Sequence, residues 1–144
     1  MDNSELYKNL CDFREKTYRI FLKKKEQANS KITEISAYDE YYLKIIAKLE
    51  KSNLAHFSDS AKISRPAGTK IIKKFIEKGY VTKTLNENDN REYLIELSDC
   101  AKEYVKESAV LFSNILDEKF SVLTKQETEE LGKIMQKLIN ENKW

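Results

Sequence analysis

Between Lys62 and Lys83 the chain carries Lys62, Arg65, Lys70, Lys73, Lys74, Lys78 and Lys83 against one acid, Glu77: seven cations against a single anion, a local charge of +6. The whole chain has 26 basic and 24 acidic residues, a net charge of +2, so the remainder carries −4. Such a block can neutralise phosphates, with each lysine or arginine displacing a condensed counterion. A solvated, lysine-rich helix face is the other use of the same residues. Asp89 stands two positions before Arg91, a spacing at which a carboxylate can pair with a guanidinium and hold it extended toward a minor groove.

Covalent and metal chemistry lack their parts. The 144 residues include one histidine, His56, and two cysteines, Cys11 and Cys100, far apart and in no CxxC pair. That disfavours a histidine-based triad, a multi-histidine metal site and a disulfide framework. The expectation is a protein that is not an enzyme, with no cofactor and no metal. No apolar run reaches signal-peptide or membrane-spanning length. A cytoplasmic chain with reduced thiols and no membrane partner is expected.

The elements that must position the basic block follow from periodicity and caps. With three glycines and one proline in the chain, there is little material for a sandwich or barrel. Leu6, Leu10, Phe13, Ile20 and Phe21 recur at helical steps from Ser4 to about Ala28, and Asn29-Ser30-Lys31 breaks that helix. Ser36 with Asp39 resembles a capping box opening a helix from Ala37 to about Lys51. Asn53 can cap a short helix from Leu54 to Lys62, and His56 is expected at its surface. Ser64 caps the next helix, with Pro66 in its first turn and Gly79 just past its end at Lys78. Tyr80–Thr84 and Glu92–Leu97 alternate as a β-hairpin with a polar tip from Leu85 to Arg91. Ser98 then caps a helix from Asp99 to about Val122, roughly 35 Å long and more than a small domain needs for its own core. Thr124 and Glu127 form a second capping box before a last helix carrying Leu131, Ile134, Met135 and Leu138.

A short helix, a tight turn and a second helix led by Ser64, Ala67, Gly68 and Thr69 are the parts of a helix-turn-helix. Small side chains there let a backbone approach a groove, and a helix N-terminus favours a phosphate. Gly68 costs about 1 kcal/mol against alanine inside a helix, and close contact with DNA would compensate. The expected fold is mainly α with a small β-hairpin wing: a winged helix-turn-helix with N- and C-terminal helices around it.

The run Ile63-Ser64-Arg65-Pro66-Ala67-Gly68-Thr69-Lys70, continuing to Gly79-Tyr80-Val81, resembles the recognition helix of the MarR family of bacterial transcription regulators, which are dimeric winged-helix proteins. Asp89-Asn90-Arg91 followed by Ile95-Glu96-Leu97-Ser98 resembles that family's wing and the cap after it. The resemblance covers essentially the whole chain. It implies one domain over 1–144, with dimerisation helices at 1–35 and 99–144 and a DNA-binding lobe at 36–98. It implies a regulator, as a repressor first of all, that binds a pseudo-palindromic operator in double-stranded DNA. Ser64, Arg65, Pro66, Ala67, Gly68, Thr69, Lys70, Lys73 and Lys74 would enter the major groove, with Arg65, Thr69 and Lys70 foremost. Asn88, Asp89 and Arg91 would carry the wing contact, Arg91 reaching a minor groove and oriented by Asp89. Asn90 stands where the family often has a second arginine, and Ala67 where it often has serine or threonine.

Three further implications follow from the resemblance. A homodimer would form through Leu6, Leu10, Phe13, Phe112, Ile115, Leu116, Phe120, Leu131, Ile134, Met135 and Leu138. A small aromatic or fatty effector would lie in a cleft lined by Phe13, Tyr18, Tyr41, Tyr42 and Tyr104. Cys11 sits where thiol-sensing members carry a reactive cysteine, although Glu15 replaces the tyrosine one turn later. Redox sensing through Cys11 is thus one alternative to a ligand-responsive regulator. A winged helix that docks an acidic protein partner is another.

Overall fold

Six stretches with helical periodicity, five of them with a cap expected from sequence and the first capped by Asp2 as well, fold as expected in a computed structural model that describes residues 1–28 and 35–141. Among these residues the order is α1 (Asn3–Gln27), α2 (Ala37–Leu49), β1 (Ser52–Asn53), α3 (Leu54–Ser60), α4 (Arg65–Glu77), β2 (Val81–Asn86), β3 (Asp89–Leu97), α5 (Asp99–Phe120) and α6 (Lys125–Ile139). The chain is mainly helical with one antiparallel sheet, in strand order β1-β3-β2. No described helix is long and apolar enough to cross a membrane. The break expected at Asn29-Ser30-Lys31 lies outside the described residues.

Two expectations are corrected in the sheet. Asn53, expected as a helix cap, also belongs with Ser52 to a short strand, with Ser52 opposite Ile95 and Asn53 opposite Leu94. The hairpin tip is shorter than the polar run suggested: β2 and β3 extend to Asn86 and from Asp89, so only Glu87 and Asn88 remain outside the strands. Polar side chains on both faces hide the alternation there, while the backbone ladder continues.

The chain divides into two compact units, Lys25–Ala109 and Met1–Lys24 with Val110–Trp144. These borders fall inside α1 and α5. In the first unit Leu43, Ile46, Phe57, Phe75 and Ala101 are fully buried, with Ile72, Val81, Ile95, Leu97 and Tyr104 packed around them. Each apolar stripe thus faces one core, and the sheet contributes its inward positions Ile95 and Leu97. A polar cluster completes this unit. Lys25 donates to Glu40 at 3.3 Å and to the Tyr104 hydroxyl, and Lys44 pairs with Glu40 at 3.2 Å. Burial works against the charge on Glu40, but Lys25 and Lys44 overcome it and hold the carboxyl pKa below its ordinary value. Burial likewise opposes the charge on Lys25, yet Tyr104 and Glu40 leave its pKa raised.

In the second unit Thr17, Phe21 and Ile115 are buried, Phe13 stacks on Phe120 with ring centroids 6.0 Å apart, and Phe21 meets Phe112 edge-on. The Thr124 capping box is complete: Thr124 accepts from the Glu127 N–H, and Glu127 accepts from the Thr124 N–H. The Ser36 hydroxyl likewise accepts from the Asp39 N–H, but the Asp39 carboxylate turns to Lys74 of α4.

Candidate nucleic-acid interface

The basic block becomes a surface through α3, the turn after it, α4 and the β2–β3 wing, all within one unit. Asn53 opens α3 by accepting from the His56 N–H at 2.7 Å, and His56 is exposed as expected. Lys62, with φ 53°, reverses the chain, and the Ile63 N–H closes the turn on the Ser58 carbonyl at 3.0 Å. Ser64 then caps α4 through the Ala67 N–H, with Pro66 in the first turn where its missing donor costs nothing.

Gly68 has a different reason from the one expected. It is buried against α3, and a Cβ there would lie 2.2 Å from Ser58 Oγ. Ser58 is fully buried, and its hydroxyl has no hydrogen-bond partner among the described residues. The close crossing of α3 and α4, inside the helix-turn-helix, accounts for the glycine. It is packed inward, against α3.

Two of the block's cations are tied within the fold. Lys74 Nζ meets Asp39 Oδ1 at 2.6 Å, joining α4 to α2 over a carboxylate that is itself buried. Arg65 donates to the Ala55 carbonyl and pairs with Asp59 at 3.2 Å, stapling the start of α4 to α3 while its guanidinium stays half-exposed. Thr69 donates its hydroxyl to the Arg65 carbonyl at 3.0 Å and keeps its acceptor lone pairs outward. Ser64, Pro66, Thr69, Lys70 and Lys73 are exposed, Ala67 half-buried. The residues Arg65, Thr69, Ile72, Lys73 and Ile76 form one edge of α4, and with the wing and α3 they line a groove of about 660 Å³. Its floor includes Leu54, Ile72 and Ile95, and its rim carries Lys73, Lys83 and Arg91.

The wing corrects the expected pairing of Asp89 with the Arg91 guanidinium. Asp89 Oδ1 accepts from the Arg91 backbone N–H at 3.0 Å, so it shapes the strand and leaves the Arg91 side chain to other partners. Asn88 lies exposed in the turn, its N–H donated to Asn86 Oδ1 at 3.0 Å. Three residues of this surface were not singled out from sequence. Tyr93 lies half-exposed with Lys83 Nζ 4.0 Å from its ring centre, a contact foreshadowed by an aromatic at an outward strand position beside a cationic strand. Asn86 and Glu92 meet in a hydrogen bond that no local spacing announces.

The remaining expected residues fall elsewhere. Tyr41 and Tyr42 meet edge-on at 5.4 Å, Tyr42 packs on Phe57, and Tyr104 is buried with its hydroxyl engaged by Lys25 and Glu40. Phe13 and Tyr18 belong to the other unit, where Tyr18 stacks on Phe21. Cys11 is half-buried there as a free thiol. Tyr7, one turn before it, has its hydroxyl pKa raised by the hydrogen bond and charge of Cys11, while Glu15 is paired with Arg19 at 2.9 Å. Leu6, Leu10, Phe13, Phe112, Ile134, Met135 and Leu138 are exposed, and Leu116, Phe120 and Leu131 half-buried. Ile115, expected at a dimer interface, is 1% exposed and belongs to its own unit's core.

The MarR family model matches residues 41–93, the stretch from α2 to the wing. Among solved structures, the chain is similar to Streptococcus pneumoniae FabT in complex with DNA, at 15% identity and a TM-score of 0.79 over 96% of this chain and 95% of that one. A MarR-like transcriptional regulator from Thermotoga maritima superposes with a TM-score of 0.76 at 16% identity, covering 96% and 95%. A cysteine-to-serine mutant of Escherichia coli MarR complexed with operator DNA gives 0.61 at 18% identity, covering 93% of each chain. No curated protein matches the sequence significantly. These likenesses establish the winged-helix fold.

Proposed function

From the premise that the chain carries a MarR family domain at residues 41–93 on a MarR-type winged-helix fold, we infer that it is a homodimeric transcription regulator that binds double-stranded DNA. The observation that carries the reading is the surface made by α4 and the wing, where Lys70, Lys73, Lys83 and Arg91 surround the exposed edge of a capped helix. Lys70, Lys73 and the start of α4 suit a major groove, and Arg91, near the start of β3 beside the wing's two-residue turn, suits the adjacent minor groove. FabT and E. coli MarR are both solved with DNA, which supports the same use here.

The homodimer rests on α6, which carries Leu131, Ile134 and Met135 on one stripe and yet has no buried residue within the single chain. An amphipathic helix of this kind needs an apolar partner. With Leu6, Leu10 and Phe112 also exposed, a second copy is the partner that fits. A repressor acting by operator occupancy, relieved by a small aromatic or fatty effector, completes the reading, and the exposed Tyr41 beside Tyr42 supplies rings for such a ligand. Selection of bound duplexes from random DNA tests it. The expected product is a pseudo-palindrome with half-sites about one helical turn apart, and equal affinity for scrambled DNA would refute it.

A further inference from the structure

The pairing of β3 with β2 steps from Tyr93 opposite Leu85 directly to Asp89 opposite Asn86, so Asn90, Arg91 and Glu92 bulge out between these two pairs. A bulge bends its strand and re-aims its side chains, and its direction holds only if the displaced residues are anchored elsewhere. Glu92 is such an anchor. Its Oε1 accepts from Asn53 Nδ2 at 2.5 Å, and its Oε2 accepts from Asn86 Nδ2 at 2.8 Å. Each asparagine is committed through its other end as well: Asn53 Oδ1 holds the His56 N–H at the start of α3, and Asn86 Oδ1 holds the Asn88 N–H in the wing turn. An asparagine offers one oxygen and one NH₂, and a carboxylate only accepts, so the chain of bonds closes with every donor facing an acceptor. It runs from the first helix of the helix-turn-helix, through Glu92, to the tip of the wing. All three side chains are half-buried, and Arg91 is the residue next to the clamp.

We propose that Glu92 is a positioning residue for DNA recognition: clamped by Asn53 and Asn86, it sets the wing against the helix-turn-helix and so presents Arg91 to the groove. The proposal rests on the DNA-binding reading above. Charge alone predicts the opposite sign for its loss. Glu92 lines the same groove as Lys73, Lys83 and Arg91, and removing a carboxylate from a phosphate-facing surface would tighten binding. Glu92→Gln keeps the size but turns an NH₂ toward one of the two asparagines. Restoring that bond requires the asparagine to turn round and release the backbone N–H it holds.

The test measures fluorescence anisotropy of two labelled duplexes, one enriched from random DNA by the wild-type chain and one scrambled. Glu92→Gln is expected to weaken binding to the enriched duplex about tenfold, with affinity for the scrambled duplex unchanged or increased. In an Arg91→Ala background the same substitution is expected to change affinity by less than about twofold, because the two residues act as one unit. Asn86→Ala leaves the Asn53 cap of α3 in place; it is expected to reproduce the loss without adding to Glu92→Gln, and it carries the test if Glu92→Gln fails to fold by circular dichroism. Unchanged or tighter binding of the enriched duplex, or an undiminished loss in the Arg91→Ala background, overturns the positioning role. Failure of the wild-type chain to discriminate enriched from scrambled DNA overturns the underlying reading, and the proposal with it.

Discussion

Replacing Lys73 and Lys74 one at a time, and measuring how DNA affinity depends on salt, separates two adjacent lysines that the structure puts to different uses. Lys73 is exposed on the groove edge of α4, while Lys74 Nζ lies 2.6 Å from the buried Asp39 carboxylate. Lys70, Lys73, Lys83 and Arg91 are four cations per protomer on the proposed DNA face, hence about eight per dimer. At about −0.9 per neutralised phosphate, the logarithm of affinity should fall with the logarithm of salt at a slope near −7, a loss of roughly 10⁴-fold between about 50 and about 200 mM. Lys73→Ala removes one contact from each protomer and should make that slope shallower by about 2. Lys74→Ala should leave the slope alone and lower the melting temperature, since it strands a buried carboxylate; with the lysine itself half-exposed, about 1–2 kcal/mol is expected. Anisotropy titrations across the salt range, paired with thermal melts, give both readouts. A wild-type slope shallower than about −3, or a slope change for Lys74→Ala equal to that for Lys73→Ala, would refute the assignment.

Gly68→Ala should destabilise the protein by about 1–2 kcal/mol through overpacking against Ser58. The same change in a Ser58→Ala background should be neutral or stabilising by up to about 1 kcal/mol, the helix-propensity gain, and additive melts would contradict the packing account. Glu40 has a lowered pKa in the folded chain, so its stabilising contribution is present above its ordinary value of 4.5 and is lost as pH falls through the folded one. Glu40→Gln should therefore cost about 1–2 kcal/mol at neutral pH and flatten the part of the acid limb that lies below the ordinary value of 4.5, checked by melts across the acid range. Ile134→Asp, at an exposed α6 position, should give a folded monomer by light scattering, whereas Ile115→Asp, in a buried core position, should fail to fold. A dimeric Ile134→Asp protein would remove α6 from the interface.

Most of the fold was legible because its signals are local. Ser36, Asn53, Ser64 and Thr124 each cap the helix their position announced, and the stripes Leu43–Ile46 and Ile72–Phe75 face the core that their spacing implied. What escaped was set by partners distant in sequence. β1 is two polar residues long, too short for alternation to show, and exists because Ile95 and Leu94 lie across from it. Gly68 looked like a surface glycine because its neighbour Ser58 is ten positions away on another helix. Glu92 looked like an ordinary strand acid, since Asn53, 39 positions earlier, is what gives it a function.

The same distinction governs the charge. Counted along the chain, the block between Lys62 and Lys83 is worth +6. In space, Asp39 from α2 neutralises Lys74, and Asp59 from α3 takes part of Arg65, so acids outside the counted window remove about two of its charges. Meanwhile Arg91, also outside the window, adds one at the rim of the groove. A linear tally therefore locates the basic lobe but misassigns its members, ranking Arg65 and Lys74 with Lys70 and Lys73. The cations able to meet phosphates are those on α4's outer edge and on the wing that, among the described residues, no acid of a neighbouring element has claimed. Of the cations that remain, Lys70 and Lys73 on α4, Lys83 on β2 and Arg91 on β3 make up the proposed DNA face, and the salt slope is expected to follow about these four charges per protomer.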